Sequence, residues 1–321
     1  MTASRSAATT AFLTHPACLG HQTPPGHPES PARLQVVLDA LAGDEFRGLK
    51  RVRAPRARLG ALARVHDRSY IRALLAAIPE TGFVMIDSDT ALSPGSGEAA
   101  LRAAGACVQA VNLVMAGEVH NAFCAVRPPG HHAGPARAMG FCLINNVAVG
   151  AAHARAAFGL ERIAIVDFDV HHGNGTEAFC AANEGYFYGS THQSPFFPGT
   201  GKQADPQEAQ AEGAGTLIVN RPLEGGAASA AFRAGFTDIL LQLSRFRPDF
   251  IFISAGFDAH RDDHMAQLKL EEADFAWATE KVCEIAAKSC QGRVVSTLEG
   301  GYDLASLARS VRAHVEALMA A

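Results

Sequence analysis

The stretch "ERIAIVDFDVHHGNGTE" (residues 161–177) opens on the apolar run Ile163-Ala164-Ile165-Val166 and then packs two aspartates and two histidines into positions 167–172. A short apolar run between polar residues reads as a buried strand. Its end carries groups that are expensive to bury unless they are paired or bind a cation. Working outward, similar runs recur in "NAFCAVRPP" (121–129), "GYFYGSTHQ" (185–193), "GTLIVNRPL" (215–223), "DFIFISAGFD" (249–258) and "GRVVSTLEGGY" (292–302). Between them, helical patterns are predicted over 97–117, 145–158, 226–245, 271–289 and 303–320, the last with Asp303 as its N-cap. Strands alternating with helices predict an α/β fold with a parallel sheet, and runs apolar on both sides predict helices on both faces.

The 321 residues are 48% hydrophobic, ample for a core, and carry a formal charge of −4. Lys and Arg are scattered without a dense block, so neither a nucleic-acid nor a membrane-surface partner is indicated, and a small or peptide substrate is favoured. Seven cysteines show no C-x-x-C pair and lie mostly in apolar runs, as suits a reducing compartment. The opening "MTASRSAATTAF" has no apolar core long enough for a signal peptide, and no run reaches a membrane span, so the expected location is cytoplasmic. Long Gly/Pro-containing loops are expected at 16–31, 128–140 and 194–215. Loops of that length are uncommon unless they build a site.

Polar residues collect where four strands stop: "RPPGHHAG", "DFDVHHGNG", "SAGFDAH" and "LEGGY". In open α/β sheets ligands bind outside the carboxyl ends of the strands. Asp169 and His171 are two residues apart, so in extended chain both point to one side and can meet one ion. Asp258, at the end of another strand, supplies a third ligand and leaves positions open, as catalytic zinc requires. A single aspartate at a strand end is more often a cap or a turn residue. Four such ends in one chain point away from that reading.

"RPPGHHA", "DFDVHHGNGTE", "SAGFDAH" and "LEGGYD", in this order, resemble the zinc-dependent histone deacetylase family, which includes bacterial acetylpolyamine amidohydrolases and acetoin-utilisation proteins. The resemblance runs from "HPESPAR" (27–33) to Tyr302. It implies an arginase-deacetylase fold in a single domain over residues 1–321, with 1–11 a flexible N-terminal tail. It implies Zn2+ held by Asp169, His171 and Asp258, and structural K+ at one or two sites. One of these takes Asp167, the backbone oxygens of Asp169 and His171, the Ser190 side chain and the Thr191 carbonyl.

The implied reaction removes an acetyl or other acyl group from an acylated lysine or related amine. His132 acts as general base and then acid, His131 stays largely protonated, and their partners are Asn174 and Asp167. An Asn at the first of these places resembles the class II branch. Tyr302 donates its hydroxyl to the carbonyl oxygen and then to the oxyanion. Phe141 and Phe197 form aromatic walls for a linear acyl chain, Gly140 adds backbone to the tunnel, and Met265 stands at the rim. In isolation, each phenylalanine reads equally as core, the histidine pair as exposed loop residues, and Tyr302 as a rim residue near a helix start.

"GHPESPARL" is expected to be locked to the scaffold by Glu29 and Arg33. His264, where the family usually has proline, reads as a solvated loop residue or a substrate contact. His15, His21, His66, His120, His153 and His260 are expected to have no catalytic part, and His192 to pack behind the site. A polyamine deacetylase uses the same machinery, and Met265 cannot pair with an internal ammonium. A binuclear arginase-like hydrolase would want carboxylates where Gly173 and His260 stand. A catalytically silent acyl-lysine binder is the non-enzymatic alternative. Acyl-chain preference stays open, and a homo-oligomer is compatible with the sequence.

Overall fold

A computed structural model describes residues 9–203 and 215–321. The chain begins with β1 (Thr10–Thr14), α1 (Pro31–Ala40), β2 (Lys50–Arg53), α2 (Leu59–Leu62), α3 (Arg68–Ala76) and a hairpin of β3 (Val84–Met85) and β4 (Ala91–Leu92). There follow α4 (Ser96–Met115), β5 (Asn121–Cys124), α5 (Asn146–Phe158), β6 (Ile163–Asp167), α6 (Asn174–Ala181), β7 (Tyr186–Gln193) and β8 (Leu217–Leu223). The chain closes with α7 (Ser229–Phe246), β9 (Phe250–Ala255), α8 (Glu272–Ser289), β10 (Val294–Leu298) and α9 (Leu304–Ala320).

Eight strands form one parallel sheet in the order β2-β1-β5-β10-β9-β6-β7-β8. β5, β6, β9 and β10 are buried along their whole length, because helices cover both faces. Among the described residues the one strand containing a proline, β8 with Pro222, is an edge strand, where a missing N–H costs no ladder bond. The predicted helices form within a few residues of their expected bounds, and the Asp303 side chain caps α9 by accepting from the Ser306 N–H at 2.8 Å. Residues 1–8 of the expected tail lie outside the described residues, as do 204–214 of the third long loop. The tail reading is corrected at its end: Thr10 and Ala11 belong to β1 and are buried, since β1 pairs with both β2 and β5.

Two buried histidines pin layers together while neutral. His314 on α9 donates from Nδ1 to the Thr279 hydroxyl (2.6 Å), which itself donates to Phe275 O, and Nε2 accepts from Ser296 (2.8 Å). His66 donates from Nδ1 to Gly134 O (2.8 Å) and accepts at Nε2 from the Asn145 N–H (2.9 Å). Burial pushes His314 down to about 3 and His66 down to about 4 from the ordinary 6.5. Both folded values lie below the unfolded one, so this stability is complete above pH 6.5 and drains away as pH falls from there towards about 4 for His66 and about 3 for His314. The melting temperature is expected to fall steeply across that window. His314→Gln, which keeps one donor and one acceptor, should flatten the slope; calorimetry showing the parent slope in the variant would contradict it.

Candidate active site and metal centre

The four strand ends predicted to carry the chemistry are neighbours, β5-β10-β9-β6, so their loops open on one patch of the sheet's carboxyl edge. Asp167 closes β6, and Asp169 and His171 follow it in a bend. His171 Nδ1 lies 3.1 Å from Asp169 Oδ1 and 3.2 Å from Asp258 Oδ2. One donor atom from each of the three residues lies within 4.8 Å of the others, and all three residues are buried. Asp169 Oδ2 accepts from the Gly300 N–H (2.8 Å) and Asp258 Oδ1 from the Val170 N–H (2.9 Å), which fixes both carboxylates.

Asp258 Oδ2 is buried without a hydrogen-bond partner. Two buried carboxylates that share one imidazole are costly, and a cation among the three removes that cost. Glycine is required beside it: a Cβ at Gly256 would lie 2.0 Å from Asp169 Oδ2, and one at Gly300 2.0 Å from Asp258 Oδ2. Burial and the Asp169 charge push Asp258 up to about 6. The donor set of two carboxylates and one imidazole therefore fits a divalent ion of the zinc kind.

The adjacent histidines stand in opposite electrostatic settings. His131 Nδ1 donates to Asp167 Oδ2 (3.1 Å). Burial opposes its charge, but Asp169 and Asp167 prevail and raise it to about 10. His132 donates from Nδ1 to Asn174 Oδ1 (2.8 Å), because an amide oxygen only accepts, and Nε2 keeps its lone pair. Burial, then the charges of His131 and His171, hold His132 well below 6.5. The rings are 4.0 Å apart. One imidazole is thus kept cationic and its neighbour neutral, the separation that assigns acid and base roles.

Tyr302 is placed by its backbone. Its N–H donates to Asp263 Oδ2 (2.6 Å), and it follows Gly301, whose φ of 122° favours glycine. The Arg33 guanidinium lies 4.7 Å over the Tyr302 ring and donates to Gly301 O and Glu299 O, both at 2.5 Å. Arg33 is paired with Glu29 (3.1 Å), the lock expected from "GHPESPARL"; Arg127, not foreseen, binds the same carboxylate at 2.5 and 2.6 Å. Burial opposes the Glu29 charge, but Arg127 leads the interactions that pull its pKa down to about 2.

A cavity of about 280 Å³ opens over these groups, lined by His132, His171 and Tyr302 at its base and by Gly140, Phe141, Phe197 and Met265 along its walls. Phe141 adopts φ 67°, unusual for a side-chain-bearing residue, and its N–H donates to Thr90 Oγ1 (3.1 Å). Asp89 and Phe196 also line the cavity and were not anticipated. In "SPFFPG" nothing in sequence separates the two phenylalanines, and Phe196 stacks on His171 at 5.4 Å. His264 is exposed and lies outside the lining, whereas His260 is buried and directed at Asp262 and Glu272.

Asp167 and Ser190 are register partners on β6 and β7, with Thr191 next along the strand. The Asp167 carboxylate also receives the Tyr188 hydroxyl (3.2 Å) and the Asp169 N–H (3.1 Å), and Ser190 Oγ lies 2.8 Å from His192 Nδ1. Glu299 was overlooked although it sits in a quoted motif. It is buried, and its Oε2 accepts from the Gly130 and His131 N–H groups (2.6 and 3.2 Å), fixing the loop that carries both histidines. His172 was missed as well: it bonds Thr200 Oγ1 (2.7 Å) and Glu177 Oε2 (2.8 Å) and so anchors the end of the Phe197 loop.

With this geometry, a family model described as the histone deacetylase domain matches residues 27–318. The chain belongs to the histone deacetylase family. It is 39% identical to "Histone deacetylase 14, chloroplastic" of Arabidopsis thaliana over 94% of this chain and 75% of that protein. It is 37% identical to "Type-2 histone deacetylase 2" of Dictyostelium discoideum over 97% of this chain, yet spans only 21% of that longer protein. Among solved structures, "Crystal Structure of HDA15 HD domain" superposes with a TM-score of 0.89 at 33% identity, covering 98% of this chain and 88% of that one. The histone deacetylase fold is therefore the arginase-deacetylase arrangement expected from sequence, and membership places the chain among deacetylase hydrolases. Among the described residues no helix is long and apolar enough to cross a membrane.

Proposed function

We propose that the chain is a zinc-dependent amidohydrolase that removes acetyl or other acyl groups from acylated lysine side chains or related amines. The observation that carries this reading is the buried cluster of Asp169, His171 and Asp258, whose donor atoms lie within 4.8 Å of one another, at the foot of a cavity whose adjacent histidines face different partners, His131 an acid and His132 an amide.

Asp169, His171 and Asp258 would hold the zinc, which when bound supplies Lewis acidity and lowers the pKa of water. His132 Nε2 accepts a proton from the attacking water and later gives it to the departing amine. His131, kept cationic by its pair with Asp167, offsets the negative charge that develops on the carbonyl oxygen. Tyr302, whose phenol burial keeps protonated, donates to that same oxygen. Phe141 and Phe197 flank the methylenes of a linear substrate, Gly140 lets the chain pass close to backbone, and Met265 adds an apolar side chain to the rim.

Asp167, the Asp169 and His171 backbone oxygens, Ser190 and Thr191 would hold a potassium ion. Oxygen-only donors suit a hard cation, and its charge would balance an acid set beside the zinc ligands. A reducing, cytoplasmic setting suits seven cysteines that are all unpaired and buried.

The experiment is kinetics on an acetyl-lysine peptide and on acetylputrescine, with metal analysis of the same preparation. About one zinc per chain, faster cleavage of the peptide, and loss of activity on chelation with recovery on adding zinc are expected. Two manganese ions per chain, or full activity after the metal has been stripped, would overturn the reading.

A further inference from the structure

Beside the acyl cavity lies a second one of about 480 Å³ that the chemistry above does not use. Its floor is one face of α3 and its C-cap, where Tyr70, Ala73, Leu74 and Ala77 recur at helical spacing. Leu74 is buried, while Ala73 and Ala77 are exposed and small, which leaves room above them. The Tyr70 hydroxyl is spent on Leu143 O (2.6 Å), so its ring presents only apolar surface. At one end Arg137 and Asp87 stand 3.4 Å apart.

The same two segments supply walls to both cavities. In the segment joining β3 to β4, Asp87 lines the groove and Asp89 the acyl cavity; in the loop after the histidine pair, Ala138 lines the groove and Gly140 the acyl cavity. Each pair is two residues apart, a span of at most ~7 Å of extended chain. An extended peptide has the same repeat, because side chains two residues apart point to one side at about that distance. Phe83, Val84 and Met85, at the start of the same hairpin, are 44%, 39% and 48% exposed.

We propose that this groove is an accessory subsite for an apolar side chain two residues from the acylated lysine, so that the preferred substrate is a polypeptide and not a free polyamine. The inference rests on the acyl-lysine hydrolase reading above. The groove's one acid, Asp87, already faces Arg137 at 3.4 Å, whereas a leucine or phenylalanine side chain exchanges water for Tyr70, Leu74 and Ile86.

The test compares kcat/KM for acetyl-lysine peptides carrying Leu, Phe, Ala or Asp two residues before or after the modified lysine. Leu or Phe should exceed Ala by roughly tenfold on one side, the discrimination an apolar pocket gives for added methylenes. Ala73→Phe and, separately, Ala77→Leu fill the groove from exposed positions, and each should bring that ratio to about one. Equal rates for all four residues in the parent, or a preference that survives both fillings, overturns the subsite. If the parent cleaves acetylputrescine and no acetyl-lysine compound at all, the underlying reading fails and takes the subsite with it, a result distinct from cleavage without preference.

Discussion

Asp258→Asn is expected to lower kcat/KM on an acyl-lysine substrate by roughly 10³-fold or more, about 4 kcal/mol of transition-state stabilisation. The change is nearly isosteric. Its amide oxygen can still accept from the Val170 N–H, so the local backbone keeps its bond. What disappears is one of the two negative charges flanking His171. Stability should respond in the opposite sense in the metal-free protein. There, burial and the Asp169 charge outweigh the His171 contact at 3.2 Å and push Asp258 up to about 6, and Asn relieves that net penalty. With excess chelator the variant should melt at or above the parent; with zinc the parent should gain stability by mass action and the variant little. A variant that binds zinc as tightly as the parent, or that turns over at the parent rate, would remove Asp258 from the metal centre.

The parts of this site that were legible in sequence are those written in neighbouring residues. The two-residue spacing of Asp169 and His171 points both side chains one way whatever the rest of the chain does. β6 and β9 were readable because a strand buried on both faces needs an unbroken apolar run, as in "IAIV" and "FIFIS". β1 and β2 were not. "KRVR" alternates exposed and half-buried residues, and its place depends on β1, whose other neighbour β5 lies more than a hundred residues along the chain. The missed supports have the same cause. Glu299 caps the backbone of Gly130 and His131 across 169 and 168 residues, and Arg127 meets Glu29 across 98. A lone acid or a lone arginine carries no local signal of such a partner. Asp263 is a further case: one aspartate in "RDDH" looks like any loop acid, yet its carboxylate receives the N–H groups of both Tyr302 and Asp303.

Because those two N–H bonds hold the Tyr302 backbone, Tyr302→Phe should delete one hydroxyl and little else. The ring keeps its edge contact with Phe141 at 5.8 Å and its place under the Arg33 guanidinium. Removing a single donor aimed at a developing oxyanion costs roughly 10² to 10³ in kcat. The expected result is a fall of that size with KM within about twofold, since in the proposed function the acyl chain is gripped by Phe141 and Phe197 and not by the phenol. Burial holds the Tyr302 hydroxyl well above the ordinary phenol range, so it is a donor at every working pH. The ratio of parent to variant kcat should therefore be the same at pH 6 and pH 9. A loss confined to KM would make Tyr302 a wall of the cavity, and a ratio that collapses towards one at high pH would mean that the phenol ionises in the working range and that burial does not control its proton.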